Sequence, residues 1–229
     1  MKRICRYLPP LFLLLFCFQF AHAQSGFDVN IGFGAAHDKA LGAVDINTLL
    51  PCSSASSTTC GSTPALSGFM LGFGGNLMLW KHLGIGAEAS LQPGKQNYLT
   101  FQQQSTGVFG DILQTRVTFY DVNAILQPVA QKRVAVQLQG GIGGTNVKFY
   151  ENFSSSGTVL GSTNSSQYAG SANHFQVHGG FGVQLYVTDH IFIRPEFDVH
   201  YVPNLTDQFG SNFVPAGMVW LGYSFGDRP

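Results

Sequence analysis

The chain has 229 residues with 12 basic and 12 acidic side chains, and only 10% of it is charged, against ~25% in an ordinary soluble domain. No apolar stretch after Ala23 approaches the ~20 residues that a membrane-spanning helix needs. This composition disfavours a soluble domain and a helical membrane protein, and no basic patch suggests nucleic-acid binding. It suits strands that carry an apolar residue at every second position, and 28 glycines and 20 phenylalanines fit that pattern.

The first 23 residues have the pattern of a secretory signal peptide. A basic stretch at residues 2–6 precedes an apolar run at 8–20, and the small triplet Ala21–Ala23 follows. The alternative is an anchor helix, which the shortness of the run and the preceding Pro9-Pro10 pair disfavour. We expect cleavage after Ala23, which leaves nine basic residues against twelve acidic ones.

Two cysteines, Cys52 and Cys60, lie beyond the signal in a Ser/Thr-rich segment. An even pair in an exported protein favours a disulfide across this short loop. Two free thiols are the alternative. A metal site is not expected, because the pair lacks nearby His or Cys partners.

Alternation of apolar and polar residues recurs eight times after the signal. The segments are 26–36, 67–80, 83–92, 115–127, 134–145, 174–187, 191–201 and 213–225. Most of them reach the ~9–11 residues that a tilted membrane strand needs. The pattern is weaker in 115–127, because Val117 and Phe119 fall on the polar face.

The connections between these segments alternate between short and long. Three are short, at 80–82, 128–133 and 188–190. Four are longer and mostly polar, at 37–66, 93–111, 151–173 and 203–212. Short turns at one end and long loops at the other are typical of outer-membrane barrels, and both termini then lie at the short-turn end.

The size of the side chains indicates which face points outward. The interior of an eight-stranded barrel is only just wide enough for its side chains. One face here is rich in Gly, Ser and Asn, whereas the other carries bulky Phe, Leu, Val and Ile. The bulky face therefore points outward into lipid, and the sequence predicts an all-β, eight-stranded, antiparallel up-and-down transmembrane β-barrel.

Residues 24–225 resemble the family of eight-stranded outer-membrane barrels that includes the OmpA transmembrane domain and OmpX. The resemblance rests on the signal, the eight segments, the GFMLGFGGNL stretch and the ending GYSF at 222–225. That ending normally closes the chain, but a short tail, 226–229, follows it here. The resemblance implies a monomer in outer-membrane lipid, helped by periplasmic chaperones and the barrel assembly machinery. It implies no cofactor.

Seven ionisable side chains are expected on the inward face: Asp28, Glu88, Asp121, Arg194, Glu196, Asp198 and His200. Buried charges persist by pairing, so we expect a lumen network in which Arg194 pairs with carboxylates such as Glu88 and Glu196. The alternative is a gate whose opening would make a narrow pore for small solutes or ions. Members of the similar family have such lumen networks.

The sequence gives little support for an enzyme or a metal centre. Asp198 and His200 lie two residues apart on one strand face, as an acid–base pair would, but no rim triad accompanies them. We therefore predict no catalytic residue, with an outer-membrane enzyme as the least favoured alternative. His174 and His178 lack a third ligand, so we expect hydrogen bonding rather than metal binding.

Three further expectations concern the strands and the surface. Pro195 removes one ladder bond, which a bulge could accommodate. Aromatic belts are expected at both ends of the barrel; the candidates are Phe27, Trp80, Tyr223 and Phe225, then Phe33, Phe175, Tyr201 and Phe213. The favoured role is structural or interactive, in adhesion or envelope integrity, with an extracellular ligand that the sequence does not name.

Overall fold

The computed structural model describes residues 26–40, 42–45, 60–62, 65–105, 107–157 and 161–226. The predicted signal and cleavage site, Cys52 and the last three tail residues lie outside these ranges, as does the side chain of Cys60. The described strands are β1 (Phe27–His37), β2 (Ala43–Asp45), β3 (Cys60–Ser62), β4 (Ser67–Met78), β5 (Leu83–Leu91), β6 (Gln96–Ser105), β7 (Gly107–Ala130), β8 (Val134–Gly157), β9 (Gly161–Tyr186), β10 (Ile191–Tyr201) and β11 (Phe213–Phe225). A 3-10 turn spans Leu205–Asp207. Within these ranges, no helix is long and apolar enough to cross a membrane.

Eight of the described strands close into a ring. The order is β1-β4-β5-β7-β8-β9-β10-β11, and β11 pairs with β1. Every neighbouring pair is antiparallel, and the closing ladder places Phe27 opposite Phe225. Closure leaves the spanning strands without a free edge, which a barrel in lipid requires. The predicted eight-stranded antiparallel barrel is confirmed.

The pleat places the apolar side chains outside. Along β1, Ile31 is 57% exposed whereas Asn30 is only 5% exposed. The same alternation runs along β10 and β11. Most of the large apolar side chains of the ring strands therefore point away from the lumen, as predicted.

Two of the predicted loops are largely strand. Segments 93–111 and 151–173 contribute β6 and the outer parts of β7, β8 and β9, which pair up to Gly157 opposite Gly161. The prediction was wrong because it relied on apolar alternation. Outside the membrane both faces of a strand meet water, so polar Ser, Asn and Gln need not alternate with apolar residues. The backbone groups still gain from pairing with the neighbouring strand. Together these four strands form a sheet that extends beyond the membrane.

Pro195 lies in β10 without a bulge, so that prediction was also wrong. The β10–β11 ladder is continuous through Pro195, which lies opposite Val219. On the β9 side, pairing stops after Ile193 and resumes at Glu196 in the same register. The missing proline N–H thus costs a short gap in one ladder, and the inward–outward pattern of β10 is unchanged.

Candidate functional site

All seven ionisable residues proposed for the lumen have buried side chains. Asp28 lies on β1, Glu88 on β5 and Asp121 on β7, while β10 carries the other four at every second position. Because successive side chains on a strand point to opposite faces, this spacing turns all four β10 residues toward the lumen. The structure brings six of the seven into one connected region and leaves Asp28 nearer the short-turn end, where the Gln184 amide donates to it at 3.3 Å.

Arg194 is the centre of the first half of this region. Its Nη2 lies 2.6 Å from Glu88 Oε1, and its Nε lies 2.9 Å from Glu196 Oε2. The Trp220 indole donates from Nε1 to Glu196 Oε1 at 2.7 Å. The arginine side chain is fully buried, so its charge depends on these two carboxylates for compensation.

His178 is the centre of the second half. Its Nε2 lies 3.1 Å from Asp198 Oδ1, and its Nδ1 lies 3.6 Å from Asp121 Oδ1. His200 stacks on the His178 ring with a centroid distance of 4.7 Å, and Phe119 stacks on the other face of His200 at 4.4 Å. The His200 ring therefore lies between the imidazole of His178 and the apolar ring of Phe119.

Gln139 joins the two halves. Its amide nitrogen lies 3.1 Å from Glu88 Oε2 and 3.4 Å from Asp198 Oδ1, so it can donate to both carboxylates. We call seven of these connected residues the polar layer: Glu88, Asp121, Gln139, His178, Arg194, Glu196 and Asp198. The layer crosses the lumen from β5 and β7 to β8, β9 and β10, so it ties together strands that are distant in sequence.

An apolar cap fills the lumen toward the long-loop end. Its members are Ala36, Leu66, Met70, Val117, Phe119, Val147, Val202, Leu205, Phe209, Val214, Ala216, Met218 and Trp220. Leu205 and Phe209 come from the segment after β10, which folds inward with its 3-10 turn. The interior is therefore not polar throughout, although a lumen filled by a polar network was predicted.

Tyr98 holds the inward segment in place. Its ring meets Phe209 edge-on at 5.7 Å, and its hydroxyl donates to the Gln208 carbonyl at 2.6 Å. Burial raises the pKa of Tyr98 to about 12, so the hydroxyl stays protonated as a donor at physiological pH. This contact was not predicted, because Tyr98 and Phe209 both fall in predicted loops. The one available signal was the break in alternation at Val117 and Phe119.

The remaining space in this part of the lumen is small. A cavity at the boundary of the polar layer and the cap, lined by residues that include Ser90, Phe119, His178 and His200, has room for about one water molecule. Among the described residues, no group of three or more His, Cys, Asp or Glu side chains is arranged to hold a metal ion. This cavity can hold a water molecule but is too small for a substrate.

A family model described as "Outer membrane protein beta-barrel domain" matches residues 10–225. The chain belongs to this family. In outer-membrane barrels the short turns face the periplasm and the longer connections face outward. The cap and the extended sheet of this outer-membrane protein therefore lie toward the cell surface, and the start of β1 at Phe27 and the end of β11 at Phe225 lie at the periplasmic side.

Three solved structures of outer-membrane barrels are similar to this chain. OprG of Pseudomonas aeruginosa is 14% identical, with a TM-score of 0.48, and the match covers 90% of this chain and 98% of OprG. The attachment invasion locus protein Ail of Yersinia pestis is also 14% identical, at a TM-score of 0.46 over 88% and 99%. The N-terminal barrel domain of Pseudomonas aeruginosa OprF is 12% identical, at 0.42 over 89% and 99%. No curated protein matches the chain.

Proposed function

We propose that this protein is a closed outer-membrane barrel whose role lies at its outer surface, in adhesion or in the integrity of the envelope. The observation that carries the proposal is the double filling of the lumen, by the ion-paired polar layer and by the apolar cap. A water or ion on its way through the barrel would have to separate Arg194 from two carboxylates and displace Phe209. Each step is costly, since it leaves a buried charge unpaired or opens a cavity in a packed core.

The extended sheet supports the interactive part of this role. Strands β7 and β8 have 24 residues each and β9 has 26, well above the ~9–11 needed to cross the membrane. Beyond the ring, β6 pairs with β7 on one side only among the described strands. We propose that this edge, close to which β3 lies, is where an extended segment of a partner pairs through backbone donors and acceptors.

A structural role also suits the His178–Asp198 pair better than catalysis. Both side chains are buried in the filled lumen, out of reach of a substrate. We propose that the protein acts as a monomer, reaching the membrane through periplasmic chaperones and the barrel assembly machinery, and that it needs no cofactor.

Planar-bilayer recording tests the closed state. The protein is purified from outer membranes, and insertion is verified by a difference in gel mobility between boiled and unboiled samples. We expect no discrete conductance steps from protein shown to be inserted. Steady openings in the wild type would contradict the closed barrel and would support the alternative, a narrow pore for small solutes or ions.

A truncation tests the surface role. Replacing the outer hairpin, residues 150–168, by a short turn should leave insertion unchanged, because the hairpin lies beyond the ring. We expect the truncated protein to lose the attachment or envelope resistance that the wild type gives to cells. Equal behaviour of the two proteins in both assays would contradict a role for the extended sheet.

A further inference from the structure

Two basic side chains lie directly opposite each other on the outside of the barrel. Arg116 on β7 and Lys148 on β8 are cross-strand partners. Their neighbours Val117 and Val147 are completely buried in the lumen, so the pleat turns Arg116 and Lys148 outward. Like charges at directly opposed positions destabilise a sheet, and none of the salt bridges among the described residues gives either one a carboxylate partner.

A third cation reaches the same area. Lys95 Nζ lies 4.2 Å from the centre of the Tyr150 ring and donates to Ser166 Oγ at 2.6 Å. Tyr150 follows Lys148 by two residues and so shares its face. Tyr168 packs edge-on against Tyr150 at 5.9 Å. We call Lys95, Arg116 and Lys148 the basic trio.

Arg116 is held in a fixed position. Its Nε donates to the Gln92 carbonyl at 2.8 Å, which anchors the guanidinium to the end of β5. The terminal nitrogens of an anchored guanidinium can form two parallel bonds to a phosphate, and less freedom is lost on binding.

The distance of the basic trio from the lipid-facing band indicates which part of the membrane these side chains contact. The continuous apolar band ends at Tyr120 on β7 and Phe175 on β9, which are 47% and 56% exposed, and Tyr168 lies farther out on β9. Arg116 lies four residues beyond Tyr120, roughly 13 Å along the strand and, with a strand tilt near 40°, about 10 Å along the membrane normal. The intervening positions are polar, with Asn146 donating to Asn173 at 2.6 Å. This is the depth of the headgroups, just outside the hydrocarbon core.

We propose that the basic trio binds the phosphorylated headgroup of a lipid in the outer leaflet. A phosphate between Arg116 and Lys148 would compensate their mutual repulsion, with Lys95 closing the site from the side of β6. This inference is independent of whether the lumen conducts, because every residue involved lies on the outer face.

Binding of lipid A that carries both phosphates, titrated into the purified full-length protein in a zwitterionic detergent and counted by native mass spectrometry, tests the site. The double variant Arg116→Gln with Lys148→Gln should bind this lipid about tenfold more weakly or worse. The matched control, Lys81→Gln with Arg133→Gln, removes the same charge at the exposed turns of the opposite end and should bind as the wild type does. Equal weakening in the two double variants, or none in either, would overturn the proposal.

Three further experiments test whether the lipid phosphate is what binds and whether a variant that fails to bind is still folded. Lipid A without phosphates should bind the wild type no better than it binds the double variant, and excess inorganic phosphate should not displace the intact lipid. Strong binding of the phosphate-free lipid, or full displacement by free phosphate, would contradict a lipid-phosphate site. The single change Lys148→Glu places opposite charges across the ladder, so it should raise the melting temperature in neutral detergent while abolishing lipid A binding. Unchanged binding by that folded variant would also overturn the proposal.

Discussion

The two halves of the lumen are closed by different forces. In the polar layer, a fully buried arginine is compensated by Glu88 and Glu196, and a glutamine links this group to the His178–Asp198 pair. In the apolar cap, side chains from the strands pack against Leu205 and Phe209 of an inward-folded loop. The polar layer is specific but does not tolerate the loss of one partner. The apolar cap depends on filled volume and should tolerate changes in the shape of its side chains.

Unpairing the polar layer should give the largest effect. Arg194→Met leaves Glu88 and Glu196 buried without a cation, and we expect it to lower the free energy of unfolding by about 3–5 kcal/mol. Urea unfolding in lipid vesicles, followed by gel mobility, measures this loss. Adding Glu88→Gln and Glu196→Gln to Arg194→Met removes the unpaired charges and should recover most of the stability. A triple variant as unstable as the single one would show that packing, rather than charge, is what Arg194 provides.

A cavity in the apolar cap should lower the free energy of unfolding somewhat less. Phe209→Ala removes a fully buried ring from a loop that can partly collapse, and we expect a loss of about 3 kcal/mol by the same unfolding assay. The exposed neighbour Thr206 supplies the control, since Thr206→Ala should change little. The 202–212 loop of the Phe209 variant should also become sensitive to protease. If it stays resistant and stable, the cap does not depend on the inward loop.

Adding a side chain at a strand glycine that faces the lumen should have an intermediate effect on stability. An added Cβ at Gly32 would lie 2.5 Å from Cε3 of Trp220, whereas one at Gly217 would meet nothing within 4 Å. We therefore expect Gly32→Ala to destabilise by about 1–3 kcal/mol and Gly217→Ala to be close to neutral. The temperature at which the folded band disappears from the gel is measured for both variants. Equal shifts would mean that the Trp220 ring moves aside freely.

Removing one carboxylate should give the smallest effect. Asp121→Asn keeps the shape and the acceptor that Asn123 Nδ2 donates to at 2.6 Å, and it relieves repulsion among Glu88, Asp121 and Asp198. We expect a change of less than about 1 kcal/mol in vesicle unfolding. A loss as large as that of Arg194→Met would mean that the ionised form of Asp121 is essential to the layer.

Much of the barrel could be predicted from the sequence because a spanning strand must alternate. Lipid on one face and a narrow lumen on the other force the period of two, and that period located Ile31, Asn30 and all four inward residues of β10. The outer sheet was missed because consecutive residues such as Ser165, Ser166 and Gln167 are all exposed, so both faces of the strand meet water and no period is imposed. The cap was missed for a related reason: Phe209 is buried by a loop fold, which leaves no repeating signal.

The contacts within the polar layer could be predicted from the sequence only in part. Arg194 and Glu88 were expected to pair, although 106 positions separate them, because a lone buried charge needs compensation. The bridging role of Gln139 and the stack of Phe119 on His200 depend on strand register and tilt. Those quantities are set by the whole ring, so the local pattern could not supply them.

Hydrogen exchange at the Trp220 indole tests the closed lumen most directly. This indole donates to Glu196 inside the barrel, and the other tryptophan of the chain, Trp80, lies in the turn between β4 and β5. Two indole signals in an NMR spectrum of the ¹⁵N-labelled protein can thus be compared in one sample, with Trp80→Phe to assign them. The closed barrel predicts that the Trp220 proton survives transfer to D₂O long after the Trp80 proton has exchanged. Exchange of both at the same rate would mean that water moves through the lumen, and the barrel would then have to be regarded as open.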